Sequence, residues 1–119
     1  MDRNELMDQS FAFSRHIVLT CRYLRKQKVE WVLTDQLIRS GTSICANICE
    51  AQHAHGIRDF TAKLEIALKE CIETIYWIQL LASLGDMNSP TSKRLLEECG
   101  SIRNMLISAI NTSKAKTSN

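Results

Sequence analysis

The stretch Arg39–Leu81, RSGTSICANICEAQHAHGIRDFTAKLEIALKECIETIYWIQLL, decides the fold. On both sides of a short His/Gly segment its apolar residues recur at intervals of three and four, the period of helices that each bury one face. Extended to its flanks, the first half reads as a helix over Glu30–Ala54 with the stripe Leu33, Leu37, Gly41, Ile44, Ile48 and Ala51. The second reads as a helix over Gly56–Leu84 with the stripe Ile57, Phe60, Leu64, Leu68, Cys71, Ile75, Ile78 and Ala82. Ser40, Gly41, Thr42 and Ser43 are weak helix formers inside the first of these patterns, and Gly costs about 1 kcal/mol there relative to Ala. Close approach of a neighbouring helix is the expected compensation.

Further helices are expected over Asp8–Gln27, with Phe13, Ile17, Cys21 and Leu24 in register, and from Pro90 to about Asn111, with Leu95, Cys99, Ile102, Leu106 and Ile110. Gly85 ends the third helix, Ser89 caps the fourth and Pro90 opens it. Residues 112–119 are small and polar without periodicity, which predicts a frayed tail. Acid-first pairs one turn apart, Asp35 with Arg39 and Glu65 with Lys69, suit exposed helix faces. Short connections favour antiparallel neighbours, so the fold class is all-α, an antiparallel up-and-down four-helix bundle over residues 1–119.

Composition agrees with one such domain: 119 residues, 45% of them hydrophobic, with one Pro and four Gly. No run approaches the ~20 apolar residues of a membrane span, and Met1–Glu5 does not begin a secretory signal, so a cytoplasmic protein without membrane contact is expected. The five cysteines, Cys21, Cys45, Cys49, Cys71 and Cys99, lie within helix patterns and read as reduced packing residues. Net charge is only +2.

The strings SICANICEA (Ser43–Ala51), DFTAKLEIALKE (Asp59–Glu70) and ETIYWIQLL (Glu73–Leu81) carry a resemblance to the bacterial "four helix bundle protein" family. That family includes proteins encoded within 23S ribosomal RNA intervening sequences and is similar to the accessory variability determinant of diversity-generating retroelements. The resemblance implies a helical bundle that assembles as a ring-shaped homopentamer, with nucleic-acid or ribonucleoprotein association for some members. Cys45 and Cys49 depart from the family pattern, which favours Ala, Pro or Gly there.

The candidate residues form three groups. Ser43, Asn47 and Glu50, with Trp77 and Leu81, are read as an oligomer-specificity motif. Asn47 lies beside the Ile44/Ile48 stripe, where a polar amide can fix one alignment at the expense of stability, and Glu50 is its nearest acceptor. Trp77 and Leu81 widen the apolar arc of their helix beyond what one neighbour covers. The alternative is a polar pocket lined by Ser43, Asn47 and Glu50.

Cys45, Cys49 and His53 repeat every four residues, but the first and last stand ~12 Å apart along a helix, so they cannot share one ion. No metal or cofactor is expected. Nucleophile motifs, phosphate-cradling Gly loops and paired catalytic carboxylates are missing as well, so the chain does not read as an enzyme.

Arg15, Arg22, Arg25 and Lys26 make up the third group. From Gln9 to Lys28 there are five basic residues and no acidic one. A cyclic oligomer would repeat that face once per subunit and multiply weak phosphate contacts. The run is read as lacking aromatic partners for base stacking, so it supports backbone contact alone. Two functions remain: an oligomeric scaffold or adaptor for RNA, DNA or a nucleic-acid-processing protein, or a protein-binding or small-ligand bundle.

Overall fold

Four helices form where the stripes place them. A computed structural model describes residues 3–117, with α1 over Arg3–Lys26, α2 over Trp31–Gln52, α3 over Ile57–Ser83 and α4 over Ser89–Thr117. There is no strand among the described residues. Each helix packs on its chain neighbours, and α4 closes the bundle against α1, giving an antiparallel rod of 52 × 21 × 20 Å. The contact of α2 with α3 is the most extensive and that of α1 with α4 the least.

Phe13, Ile17, Cys21 and Leu24 of α1, Leu37, Ile44 and Ile48 of α2, and Leu95, Cys99, Ile102 and Leu106 of α4 fill the core, all fully buried. Gly41 does what its helix-breaking cost suggested. A Cβ added there would lie 2.9 Å from Ile17 Cγ2, so its bare backbone lets α2 close on α1.

The α3 stripe is corrected. Its buried line runs through Thr61, Leu64, Ala67, Cys71, Thr74, Ile78 and Leu81, whereas Leu68 and Ile75 flank the core and Ile57 is exposed. Thr61 and Thr74 can face inward because their hydroxyls donate to the carbonyls of Ile57 and Glu70, one turn back, and so leave no unpaired donor in the core.

The ends also differ from expectation. Helix α4 does not stop near Asn111 but continues to Thr117. Ser113 is buried there and its hydroxyl hydrogen-bonds Thr61 of α3, while Lys114 Nζ lies 2.9 Å from Glu65. These docking contacts carry the helix through a polar segment; Ser118 and Asn119 lie outside the described residues. At the start of α4 the cap is Asn88 rather than Ser89, its Oδ1 accepting the Thr91 amide at 2.9 Å. Gly85 does end α3, at φ +83°. Its amide donates to Ala82 O, and the Asp86 amide to Leu81 O, the Schellman pattern. The same pattern closes α1, where Lys28 takes the left-handed position at φ 64°.

Four cysteines are buried as packing residues, but Cys49 is exposed. Burial pushes the Cys21 thiol up to about 12, and its Sγ donates to Thr34 O. The Cys71 thiol is raised by its hydrogen bond with Cys99 and then by burial.

Candidate nucleic-acid interface

Residues Phe11, Arg15, Val18, Arg22 and Arg25 follow one another at steps of four and three along α1, so they form a single stripe on the side away from Phe13 and Ile17. Phe11, Ser14, Arg15, Val18, Leu19 and Arg22 surround a shallow depression of about 280 Å³. Arg15, Arg22 and Lys26 are exposed, and no ion pair among the described residues involves them. Their charge faces water.

Arg25 stands apart from the other three. Its Nη2 donates to Asp35 at 2.5 Å and its Nε to the Thr34 hydroxyl at 2.9 Å, and its guanidinium lies 3.9 Å from the ring centroid of Trp31. It joins α1 to α2 and is not free for phosphate. Asp35 is thereby taken by Arg25 rather than by Arg39, because a facing helix brings a guanidinium closer than its own next turn.

The expectation of a run without stacking partners is corrected too. Phe11 is 59% exposed and Trp31 65%, and they stand at the two ends of the stripe. Phe11 carried a readable signal: two residues before core Phe13 on a helix, it must point to the other side. Trp31 did not, since it joins the stripe only through Arg25 of the neighbouring helix.

The proposed specificity residues gather in the groove between α2 and α3, but their bonds stay within the chain. Ser43 Oγ donates to Arg39 O and Asn47 Nδ2 to Ser43 O, both one turn back on α2. Glu50 does not meet Asn47. Its carboxylate lies 3.0 Å from Lys63 Nζ and holds the pKa of that ammonium above its ordinary value. Arg39 donates to Glu70 at 3.2 Å and also to Glu73, which accepts the Trp77 indole N–H at 2.9 Å. Trp77 is half-buried by this arrangement, and Leu81 is wholly inside the core, so neither extends an uncovered arc. The large apolar residues left outside on α3 and α4 are Ile57, Ile66, Ile72, Tyr76 and Ile107, with Leu84 just past the end of α3.

Ser43, Asn47 and Glu50 do not line the larger of the cavities described. That cavity, about 560 Å³, lies at the end of the bundle near the α2–α3 turn, among Leu6, Ile48, Phe60, Leu64, Ala109 and Lys116. No three His, Cys, Asp or Glu side chains come together as a metal site among the described residues. Nor is any described helix long and apolar enough to cross a membrane.

This arrangement of helices and grooves has counterparts. A crystal structure of a protein of unknown function from the S23 ribosomal protein family of Bacteroides thetaiotaomicron is similar at TM-score 0.90 and 39% sequence identity, over 93% of this chain and 99% of that one. Among curated proteins, none matches the chain. Residues 2–108 match the family described as 23S rRNA-intervening sequence protein, a span that takes in the unpaired cations of α1 and the α2–α3 groove alike. The chain belongs to the 23S rRNA-intervening sequence protein family.

Proposed function

We propose that the protein is a non-enzymatic, cytoplasmic homo-oligomeric scaffold that associates with nucleic acid or a ribonucleoprotein through the outer face of α1. The observation that carries this reading is that Arg15, Arg22 and Lys26 are exposed, take part in no ion pair among the described residues, and lie in a stretch, Gln9–Lys28, that contains no carboxylate. Arginines with no carboxylate partner can neutralise phosphates and displace the counterions condensed on a nucleic acid, which favours binding at low salt. Assembly is supported by the exposed Ile72 and Tyr76 of α3 and Ile107 of α4, since large apolar groups left in water on a small bundle are suited to contact with another subunit. Five subunits are expected from the family resemblance.

Replacing Arg15, Arg22 and Lys26 together by Gln tests the interface. Helicity is expected to persist, because Gln is a comparable helix former. Affinity for RNA and DNA falls for every sequence alike, and the slope of log affinity against log salt flattens by ~0.9 for each duplex phosphate no longer neutralised, or ~0.7 on single strands. Anisotropy titrations at several salt concentrations measure both, and unchanged affinity and slope would reduce the arginines to a solvated face. Native mass spectrometry tests the assembly, and a monomer at all concentrations ends it. The second reading, a small-ligand bundle, rests on the cavity at the α2–α3 end; it gains if a small molecule copurifies while nucleic acid does not bind.

A further inference from the structure

Resting on the nucleic-acid reading, we infer that the strand lying on α1 is unpaired, with its bases stacked on Phe11 and Trp31 and its phosphates on Arg15 and Arg22. The stripe is a track with an aromatic group at each end and cations between. Phe11 and Arg25, which carries Trp31, are about 21 Å apart along the helix at 1.5 Å per residue, room for several nucleotides. The guanidinium of Arg25 covers one face of the Trp31 indole, and with 65% of the residue exposed the opposite face is open. The hydrogen bonds of Arg25 to Asp35 and Thr34 hold that ring in place, so little side-chain freedom is lost when a base lands on it.

At the other end, Phe11 borders the depression floored by Val18 and Leu19 and flanked by Arg15 and Arg22. An apolar floor between two guanidiniums suits the flat face of a base whose phosphates lie to either side. A duplex satisfies only half of this design. Its bases are stacked on one another and its outer surface offers phosphates alone, which leaves Phe11 and Trp31 against water. Exposed aromatic rings beside a basic groove are the arrangement by which proteins hold single strands without reading sequence.

The test uses the full chain with a fluorescein-labelled mixed-sequence RNA of roughly 12 nucleotides, within the span such grooves cover, either single or annealed to its complement. Wild type is expected to bind the single strand more tightly than the duplex. The double variant Phe11→Leu, Trp31→Leu keeps its fold, since both side chains are exposed, and circular dichroism checks this. Its affinity for the single strand is expected to fall about tenfold or more, given what one stacked base contributes. Its duplex affinity and its salt slope are expected not to move.

Equal wild-type affinity for the two forms, or an unchanged single-strand affinity in the double variant, overturns the inference. If the triple Gln variant still weakens binding in those cases, the broader function stands. Wild-type binding to neither form defeats both.

Discussion

The outward face of α1 and the groove between α2 and α3 both carry arginines, yet they use them in opposite ways. In the groove Arg39 is held by Glu70 and Glu73, and Glu50 by Lys63, so each charge meets its complement inside the chain. On the outward face of α1 Arg25 is so engaged, whereas Arg15, Arg22 and Lys26 are exposed and take part in no ion pair among the described residues. The net charge of +2 hides this division. A nearly neutral chain can present a cationic face when its carboxylates fall outside that stretch, as they do between Gln9 and Lys28.

The strongest way to break the contrast is to push the α1 face off its support. Gly41→Val forces a branched side chain into the space of Ile17 Cγ2, 2.9 Å from where even a Cβ would sit. Ile17 is fully buried and cannot step aside. A loss of about 2–3 kcal/mol is expected from overpacking, read as a lowered midpoint in urea unfolding. A variant as stable as wild type would mean that α1 and α2 are free to separate.

A smaller change sharpens the contrast by separating charge from stability. Lys28 occupies a left-handed position that its twin at the other turn fills with glycine. Lys28→Gly removes a cation from the α1 end and should raise stability by about 1 kcal/mol, the order of the left-handed penalty for a residue with a Cβ. An unchanged or lower melting temperature would contradict that. The smallest effect is expected in the groove. Arg39 is about half exposed, so Arg39→Gln should cost about 0.5 kcal/mol, within the range of surface ion pairs, and leave nucleic-acid affinity where it was. If affinity falls as far as in the α1 variant, the groove rather than α1 is the interface.

The division between the two faces was only partly readable from residue order. Apolar periodicity located all four helices, and the stripes of α1, α2 and α4 became the core, because spacing along one helix decides which side a residue takes. Partner choice is set by a facing helix, and spacing cannot see it. Asp35 turned to Arg25 and not to Arg39, Glu65 to Lys114 and not to Lys69, and Glu50 to Lys63 and not to Asn47. Thr61 and Thr74 escape a reading by apolar residue type because they are polar, although a hydroxyl bonded one turn back can lie inside. The last turns of α4 escape it for the same reason as the ion pairs, since Ser113 gains its partner from α3.

The weakest seam of the bundle bears on the order in which the chain assembles. α2 and α3 adjoin through a short turn and share the broadest contact, so their hairpin forms at little loop-closure cost. The seam of α1 with α4 must wait for residues as distant as His16 and Glu98, 82 positions apart, which meet at 2.6 Å. Gln9 and Ser101 add one bond beside them, and Glu98 Oε1 is buried without a hydrogen bond. From its distant partners and sparse contact, the lowest barrier to reopening is expected at this seam. Amide exchange is therefore expected to be fastest, among buried positions, along α1 where it meets α4. The helix that carries the unpaired cations shares the least extensive contact in the bundle, and slow exchange along its α4 side would show that α1 is held as firmly as the α2–α3 hairpin.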